Sequence, residues 1–367
     1  MSLAELLPPE LDDHILSFLA SDPRSLSACA NTCRSWSLAS RRHLYRDIHL
    51  ETPQRVLFGS GHRHQPVAWD SFPIFEGTAF FPNLTSIGLL NIYGKFSFQF
   101  DINILQRFPS VWRLSFFYCT LPRAPVLGIL TWLPSLRALT LDFCKSFQGP
   151  ETSPCLDVRS RLSRLSYLPS RSSDCYEGLL PILIPVSSLT MRSLALSVFN
   201  RYVSYLSELR KYMTVVNPYL TSLELYFVGF KSYDLASCYD ALDHMSLKTC
   251  TNLHTLILRN PSLPIVPLLL SQIPVGSLRI LQCHIDTAFT MSAARLDLQN
   301  ALSTRKFDGL EQLRFVYSGD KFLAPVLYSE LEPGYPEFAQ RGVLRVIHDN
   351  LSYDFKEILR GRSTVDL

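Results

Sequence analysis

The most reactive-looking stretch of the chain is Gly59-Ser60-Gly61-His62-Arg63-His64, a serine between glycines with two imidazoles close by. A nucleophilic serine needs a strand–turn–helix frame that lifts its hydroxyl out of the sheet. Here the surrounding residues are turn and loop formers, and no such frame is expected. His62 and His64 could take two corners of a metal site, but no third ligand follows at a useful spacing. Cys29 and Cys33 would share one helix face, again without a histidine or cysteine partner, and read as small core residues. The nine cysteines are scattered with no C-x-x-C pair, which suits reduced thiols in the cytosol or nucleus. HExxH, phosphate-loop and paired-carboxylate patterns with convincing context are missing from the sequence. The expectation is a chain that is not an enzyme, with no catalytic residues, no metal and no cofactor.

What remains is binding, and the elements must be read to see what could bind. Net charge is +3 with 18% charged residues and no Lys/Arg block, so neither nucleic acid nor an anionic membrane is an expected partner. Met1–Leu7 has no basic segment of the kind that opens a secretory signal. The apolar runs Val126–Leu133, Leu179–Val186 and Leu263–Val275 fall short of the roughly 20 residues that span a bilayer.

Residues 1–50 have helical periodicity. Pro8-Pro9-Glu10 opens a first helix, with proline suited to the first turn and an acid to the positive end of the dipole. Leu11, Ile15, Leu16 and Leu19 follow at helical spacing. Asp22-Pro23 repeats the start signal. Leu26, Cys29, Ala30 and Cys33 form a second stripe, and Trp36, Leu38 and Leu44 a third. Three helices this short make a core too small to be comfortable alone. Residues 51–80 lose periodicity and read as a linker.

From residue 81 to 350 the chain repeats. L-x-x-L-x-L matches begin at Leu84, Val111, Leu136, Leu162, Met191, Leu220, Leu253, Leu278 and Leu310, 25 to 33 residues apart. The fourth position is leucine in eight of these nine and isoleucine in the other. Helical stretches such as Val126–Leu133, Tyr202–Val216 and Ala293–Ser303 lie between matches. The predicted unit is a helix, a turn and a short strand, stacked so that the core becomes continuous. The pairs at Leu162 and Met191 are the weakest, because Pro169–Cys175 reads as an inserted loop. Val343-Leu344-Arg345-Val346-Ile347 reads as a tenth, irregular strand, and 351–367 as a tail. The rival reading is a plain αβ domain rich in leucine.

With positions one, four and six inward, positions three, five and seven line one face. That face would carry Arg113, Ser115, Phe117, Ala138, Thr140, Asp142, Arg164, Glu224, Tyr226, Arg259, Gln282, His284, Gln312 and Arg314. Aromatic and arginine residues often dominate interface energy. Arg113, Arg164, Arg259 and Arg314 together suggest a reader of phosphorylated or acidic segments, whereas Asp142 and Glu224 on the same face argue for a mixed surface. A merely solvated face is the bland alternative.

The N-terminal residues also resemble a known module. Leu7-Pro8-Pro9-Glu10-Leu11, Ile15-Leu16-x-x-Leu19, the break at Asp22-Pro23 and Leu26-x-x-Cys29-Ala30-x-x-Cys33-Arg34-x-Trp36 resemble an F-box over roughly residues 5–49. Joined to irregular leucine repeats, the architecture is similar to the large F-box families of mushroom-forming fungi. The resemblance implies an α+β fold: a three-helix F-box followed by an α/β leucine-rich-repeat solenoid of short parallel strands with helices on the convex side. It implies a substrate receptor of an SCF-type ubiquitin ligase, bound through a Skp-family adaptor to a cullin and through its concave face to a protein target. Leu7, Pro8, Leu11, Ile15, Leu16, Leu26 and Trp36 sit at motif positions expected in the module core or the adaptor interface, and the sequence leaves both roles open. Asp12-Asp13-His14 is more polar than the motif usually is there. Two other functions stay open: an adaptor-bound scaffold outside any ligase, and a repeat protein whose N-terminal helices only cap the solenoid.

Overall fold

A computed structural model describes residues 9–19, 22–33, 36–37, 39–40, 43, 47–51, 84–90, 105, 108–117, 119, 123–142, 144, 161–168, 179–187, 189–199, 203–228, 243–259, 265–285, 293–303, 307–317 and 321–348. Leu7, Pro8, the Gly59–His64 stretch, nearly all of the 51–80 linker and the 351–367 tail lie outside these. The chain divides into two units, Met1–Thr120 with Ala124–Leu139 and Ser153–Ser160, and Leu121–Arg123 with Thr140–Thr152 and Arg161–Leu367.

Unit 1 begins with helices α1 (Pro9–Ser17) and α2 (Pro23–Ala30). Asp22 caps α2: its carboxylate accepts from the backbone N–H groups of Arg24 at 3.1 Å and Ser25 at 3.3 Å and from the Ser25 hydroxyl at 2.6 Å. The Ser25 hydroxyl, then the Ser25 amide, hold that carboxyl below its usual range. Residues 36, 37, 39, 40 and 43 are helical.

The sequence reading ended a purely helical module at residue 50, and this needs correcting. Asp47–Glu51 is a strand, β1, paired in parallel with β2 (Ser86–Leu90). Asp47-Ile48-His49-Leu50-Glu51 alternates polar and apolar residues, the period of a half-buried strand. β2 pairs in turn with β3 (Arg113–Phe117). Helix α3 (Arg123–Trp132) precedes β4 (Ala138–Asp142), and the division between units passes through β4.

Unit 2 carries β5 (Arg164–Leu168), β6 (Ser193–Phe199), β7 (Ser222–Val228), β8 (Thr255–Arg259), β9 (Ile280–Ile285), β10 (Gln312–Tyr317) and β11 (Leu344–His348). Neighbours in sequence are neighbours in the sheet, and every pair from β5 to β11 is parallel. A parallel pair needs a crossover. Helices α4 (Leu179–Ser187), α5 (Val203–Val216), α6 (Ile265–Gln272) and α7 (Ala293–Leu302) lie in four of these connections, and α8 (Ala324–Leu331) and α9 (Pro336–Gln340) share the last. The repeats that looked weakest, at Leu162 and Met191, form β5 and β6 in regular register around α4.

Register explains the leucine pattern. Leu165, Leu194, Leu223, Leu256, Leu281, Leu313 and Leu344 are successive partners across seven strands, and all are buried. At the N-terminal end of the strands, one backbone carbonyl per unit accepts two amides from the next. Ser163 accepts from Arg192 and Ser193, Arg192 from Thr221 and Ser222, Thr221 from His254 and Thr255, His254 from Arg279 and Ile280, and Arg279 from Glu311 and Gln312. Using both lone pairs of each carbonyl satisfies the turn that enters each strand. Buried Asn217 adds a side-chain tie, its amide donating to the carbonyls of Met245 at 3.0 Å and Ser246 at 3.1 Å in the following unit. Among the described residues, no helix is long and apolar enough to cross a membrane.

Candidate functional sites

Helix α1 is short, so its two faces are easily separated. Side chains four and then three residues apart lie on one stripe of a helix. Leu11, Ile15 and Phe18 follow that spacing, with the last just beyond the end of α1, and they are 46%, 40% and 74% exposed. The His14 ring stands edge-on to Phe18 with centroids 5.1 Å apart, so the stripe has an aromatic end. Phe18 was not among the expected site residues; adding three to Ile15 along the same stripe would have found it.

The opposite face builds the module's interior. Leu16, Leu26 and Ala39 are buried together, with Leu19, Cys29 and Trp36 packed against them. Trp36 Nε1 donates to Asp12 Oδ1 at 2.7 Å, and Asp12 is only 2% exposed. The polar Asp12 therefore does not dilute the outer stripe, as its sequence position suggested. It turns inward and joins the first and third helical segments. The seven expected adaptor residues thus separate: Leu11 and Ile15 point out, Leu16, Leu26 and Trp36 hold the core, and Leu7 and Pro8 lie outside the described residues.

The second candidate site is the sheet face formed by positions three, five and seven. In unit 1, Arg113 is half-buried and Phe117 is buried, so Phe117 is not offered to a partner as expected. In unit 2, Arg164 is exposed, while Glu224, Tyr226, Arg259, His284 and Arg314 are half-buried.

Around β7–β9 the charged and polar groups of this face engage each other. Arg259 Nε forms an ion pair with Glu224, from the neighbouring strand. The same guanidinium lies 5.2 Å from the Tyr226 ring centroid, within cation–π range. Its Nη1 is 3.4 Å from His284 Nδ1, and the Gln282 amide nitrogen is 3.0 Å from His284 Nε2. Burial first, and the Arg259 charge second, push the His284 imidazole down to about 3, so the ring is neutral across the physiological range. Burial, reinforced by Glu224, raises the Tyr226 hydroxyl well above its usual value.

Asp142 is 8% exposed and accepts the Ser166 hydroxyl at 2.6 Å. Burial raises its carboxyl to about 7, Ser166 opposes the rise, and Glu224 adds to it. Asp142 is thus a buried group of the unit and not the accessible acid the sequence suggested. The four-arginine reading changes as well. Arg113 belongs to the other unit, Arg259 is held by Glu224, and Arg314 donates from Nε to Gln312 Oε1 at 2.6 Å.

Cys29 and Cys33 are half-buried. Among the described residues, no three metal-capable side chains gather. Cys119 and Cys144 were missed as repeat positions: each stands eight residues after a motif start, is buried, and directs its thiol to a carbonyl two residues back, Phe117 at 3.3 Å and Asp142 at 3.7 Å.

Residues 4–51 match the family model of the F-box-like domain. The matched segment contains α1, α2, the Trp36 segment and β1. No curated protein matches the chain.

Proposed function

We propose, from the premise that this chain carries an F-box-like domain at residues 4–51, that it is the substrate-recognition subunit of an SCF-type ubiquitin ligase. The module docks on a Skp-family adaptor, the adaptor joins it to a cullin, and the sheet face of unit 2 holds the protein target. The strand–helix units form a leucine-repeat solenoid whose concave side is that face. Ubiquitin transfer belongs to the partners. The chain is not itself an enzyme and acts by raising the target's effective concentration near them, in the cytosol or nucleus.

The observation that carries this reading is the separation of α1 into two faces. Leu16 and Trp36 complete the core, yet Leu11, Ile15 and Phe18 remain exposed at one helical spacing. Fully burying a large apolar side chain is worth roughly 1.5–3 kcal/mol. Three on one stripe can anchor a helix-in-groove contact after association costs are met. Helices that only capped a solenoid would have no use for a second apolar face.

Co-expression with a Skp-family adaptor tests the docking step. The wild-type chain is expected to co-purify, and the Ile15→Asp/Phe18→Asp variant to be folded and unbound. A folded variant that still co-purifies would refute docking through α1. Cullin recruitment and target turnover then separate a ligase receptor from an adaptor-bound scaffold.

A further inference from the structure

Charge is not handled alike along the face of unit 2. Around β7–β9, Glu224 and Arg259 neutralise each other and His284 is uncharged. At β10 and β11 the compensation stops. Arg314 and Arg345 are direct register partners on these two strands, which puts their backbones about 5 Å apart. Both point away from the buried side of the sheet, since Leu313, Phe315 and Leu344 beside them are buried.

Gln312 accepts from Arg314 Nε and so fixes the plane of the guanidinium, leaving its Nη edge for another acceptor. Arg345 is exposed. Among the described residues, no acid pairs with either guanidinium. Like charges directly opposite one another destabilise a sheet. The fold therefore keeps two facing cations that its own described groups do not neutralise. The next residue in the row, Gln282, is a register partner of Arg314 and carries no charge. Two positions further along the strands, Val316 is buried and Ile347 is 39% exposed, giving the arginines an apolar shelf.

We propose that Arg314 and Arg345 form a two-guanidinium clamp for an oxyanion, phosphoryl or carboxylate, on an extended target segment, with an apolar residue of that segment resting on Ile347. The proposal rests on the reading that this face holds the target. Guanidinium forks donate in pairs to such oxygens, and two forks facing one direction suit a phosphoryl group better than a single carboxylate. Of the four arginines singled out in the sequence, only Arg314 belongs to the clamp. Its partner, Arg345, lies on the strand whose face was not mapped.

The test uses the full chain bound to its adaptor. Three degenerate peptide libraries carry phosphoserine, glutamate or serine at a fixed position, with leucine two residues later. Fluorescence anisotropy is expected to show the phosphoserine library binding about tenfold or more tightly than serine, and Arg314→Gln or Arg345→Gln each removing most of that difference. Equal binding of the glutamate and phosphoserine libraries would assign the clamp to carboxylates, still in its favour. Binding no better than the serine library, or unchanged in the double variant, would overturn it. Thermal melting covers the case of a folding defect: removing facing like charges should leave the midpoint level or higher, and a lower midpoint would make the pair structural and count against the clamp. Adaptor co-purification, carried by α1, is read in parallel. Its loss would point to the docking reading, whereas lost peptide preference with the adaptor retained tells against the clamp alone.

Discussion

Helix α1 and the sheet face of unit 2 solve opposite problems with the same kind of alternation. On α1 the inward stripe is complete with Leu16 and, through Asp12, Trp36, so the outward stripe is apolar and unfilled. On the sheet the inward rows are a continuous leucine core, and the outward rows mix apolar residues such as Ile257 and Val316 with polar groups that are mostly matched to each other. Glu224 has Arg259, Asp142 has Ser166, and Gln282 has His284. One surface is open because it lacks apolar neighbours, the other nearly closed because its polar groups have found theirs. An unfilled apolar stripe states the general class of partner it needs. A self-satisfied polar face conceals its choice except where the matching fails, at Arg314 and Arg345.

The contrast can be broken most sharply at α1. Ile15→Asp/Phe18→Asp should weaken adaptor binding by about a hundredfold or more, since central apolar anchors dominate interfaces, while circular dichroism and melting stay near wild type. A large loss of stability would mean that the outward stripe is core after all. Next in size is the leucine row. Leu223→Ala, in the middle of the buried ladder, should cost about 3 kcal/mol in denaturant titration. A cost below 1 kcal/mol would show that the units are more loosely joined than their register indicates.

The polar face makes a prediction in pH. Asp142 is raised in the folded state to about 7, so stability falls as pH rises from its ordinary value of 3.8 through 7, because the folded chain holds a proton that the unfolded chain has released. His284 is lowered from 6.5 to about 3, so stability falls as pH drops through that window, where only the unfolded chain takes up the proton. The two trends oppose each other between about 4 and 6.5. Asp142→Asn should remove a loss of up to about 1.4 kcal/mol per pH unit on the alkaline side, and His284→Gln a similar loss on the acid side. Chemical denaturation from pH 4 to 8 would show the two variants tilting in opposite directions; parallel curves would contradict the proposed network. The smallest effect is at the cap of α2, where Asp22→Ala should lower stability slightly by removing the acceptor of the Arg24 and Ser25 amides. Thermal melting of the whole chain with bound adaptor would register it as a lower midpoint for the module.

Much of this was legible in order of periodicity. The L-x-x-L-x-L spacing located the strands β2 to β10, and Val343–Ile347 located β11, because one buried side of a strand leaves a period of two in the chain. Asp22-Pro23 announced its helix because a cap is a local interaction. β1 was hidden because its partner β2 begins at Ser86, far along the chain. The inward turn of Asp12 was hidden because its reason, the Trp36 indole, is 24 residues away. The pairing of Glu224 with Arg259, 35 residues apart, shows the same limit. Alternation tells which way a side chain points, but not which neighbour arrives there first.

The shared carbonyls at the strand entrances have one more consequence. Each strand of unit 2 is fixed to the next by its ladder and by the shared carbonyl near the motif start, while motif starts lie 25 to 33 residues apart. Lengthening the connecting segment between two units changes the closure entropy only slowly, by about 0.6 kcal/mol for each doubling. Insertions between strands are therefore cheap, and they leave the docking register of the face untouched. Such an architecture can carry connecting loops of very different lengths around one constant strand frame.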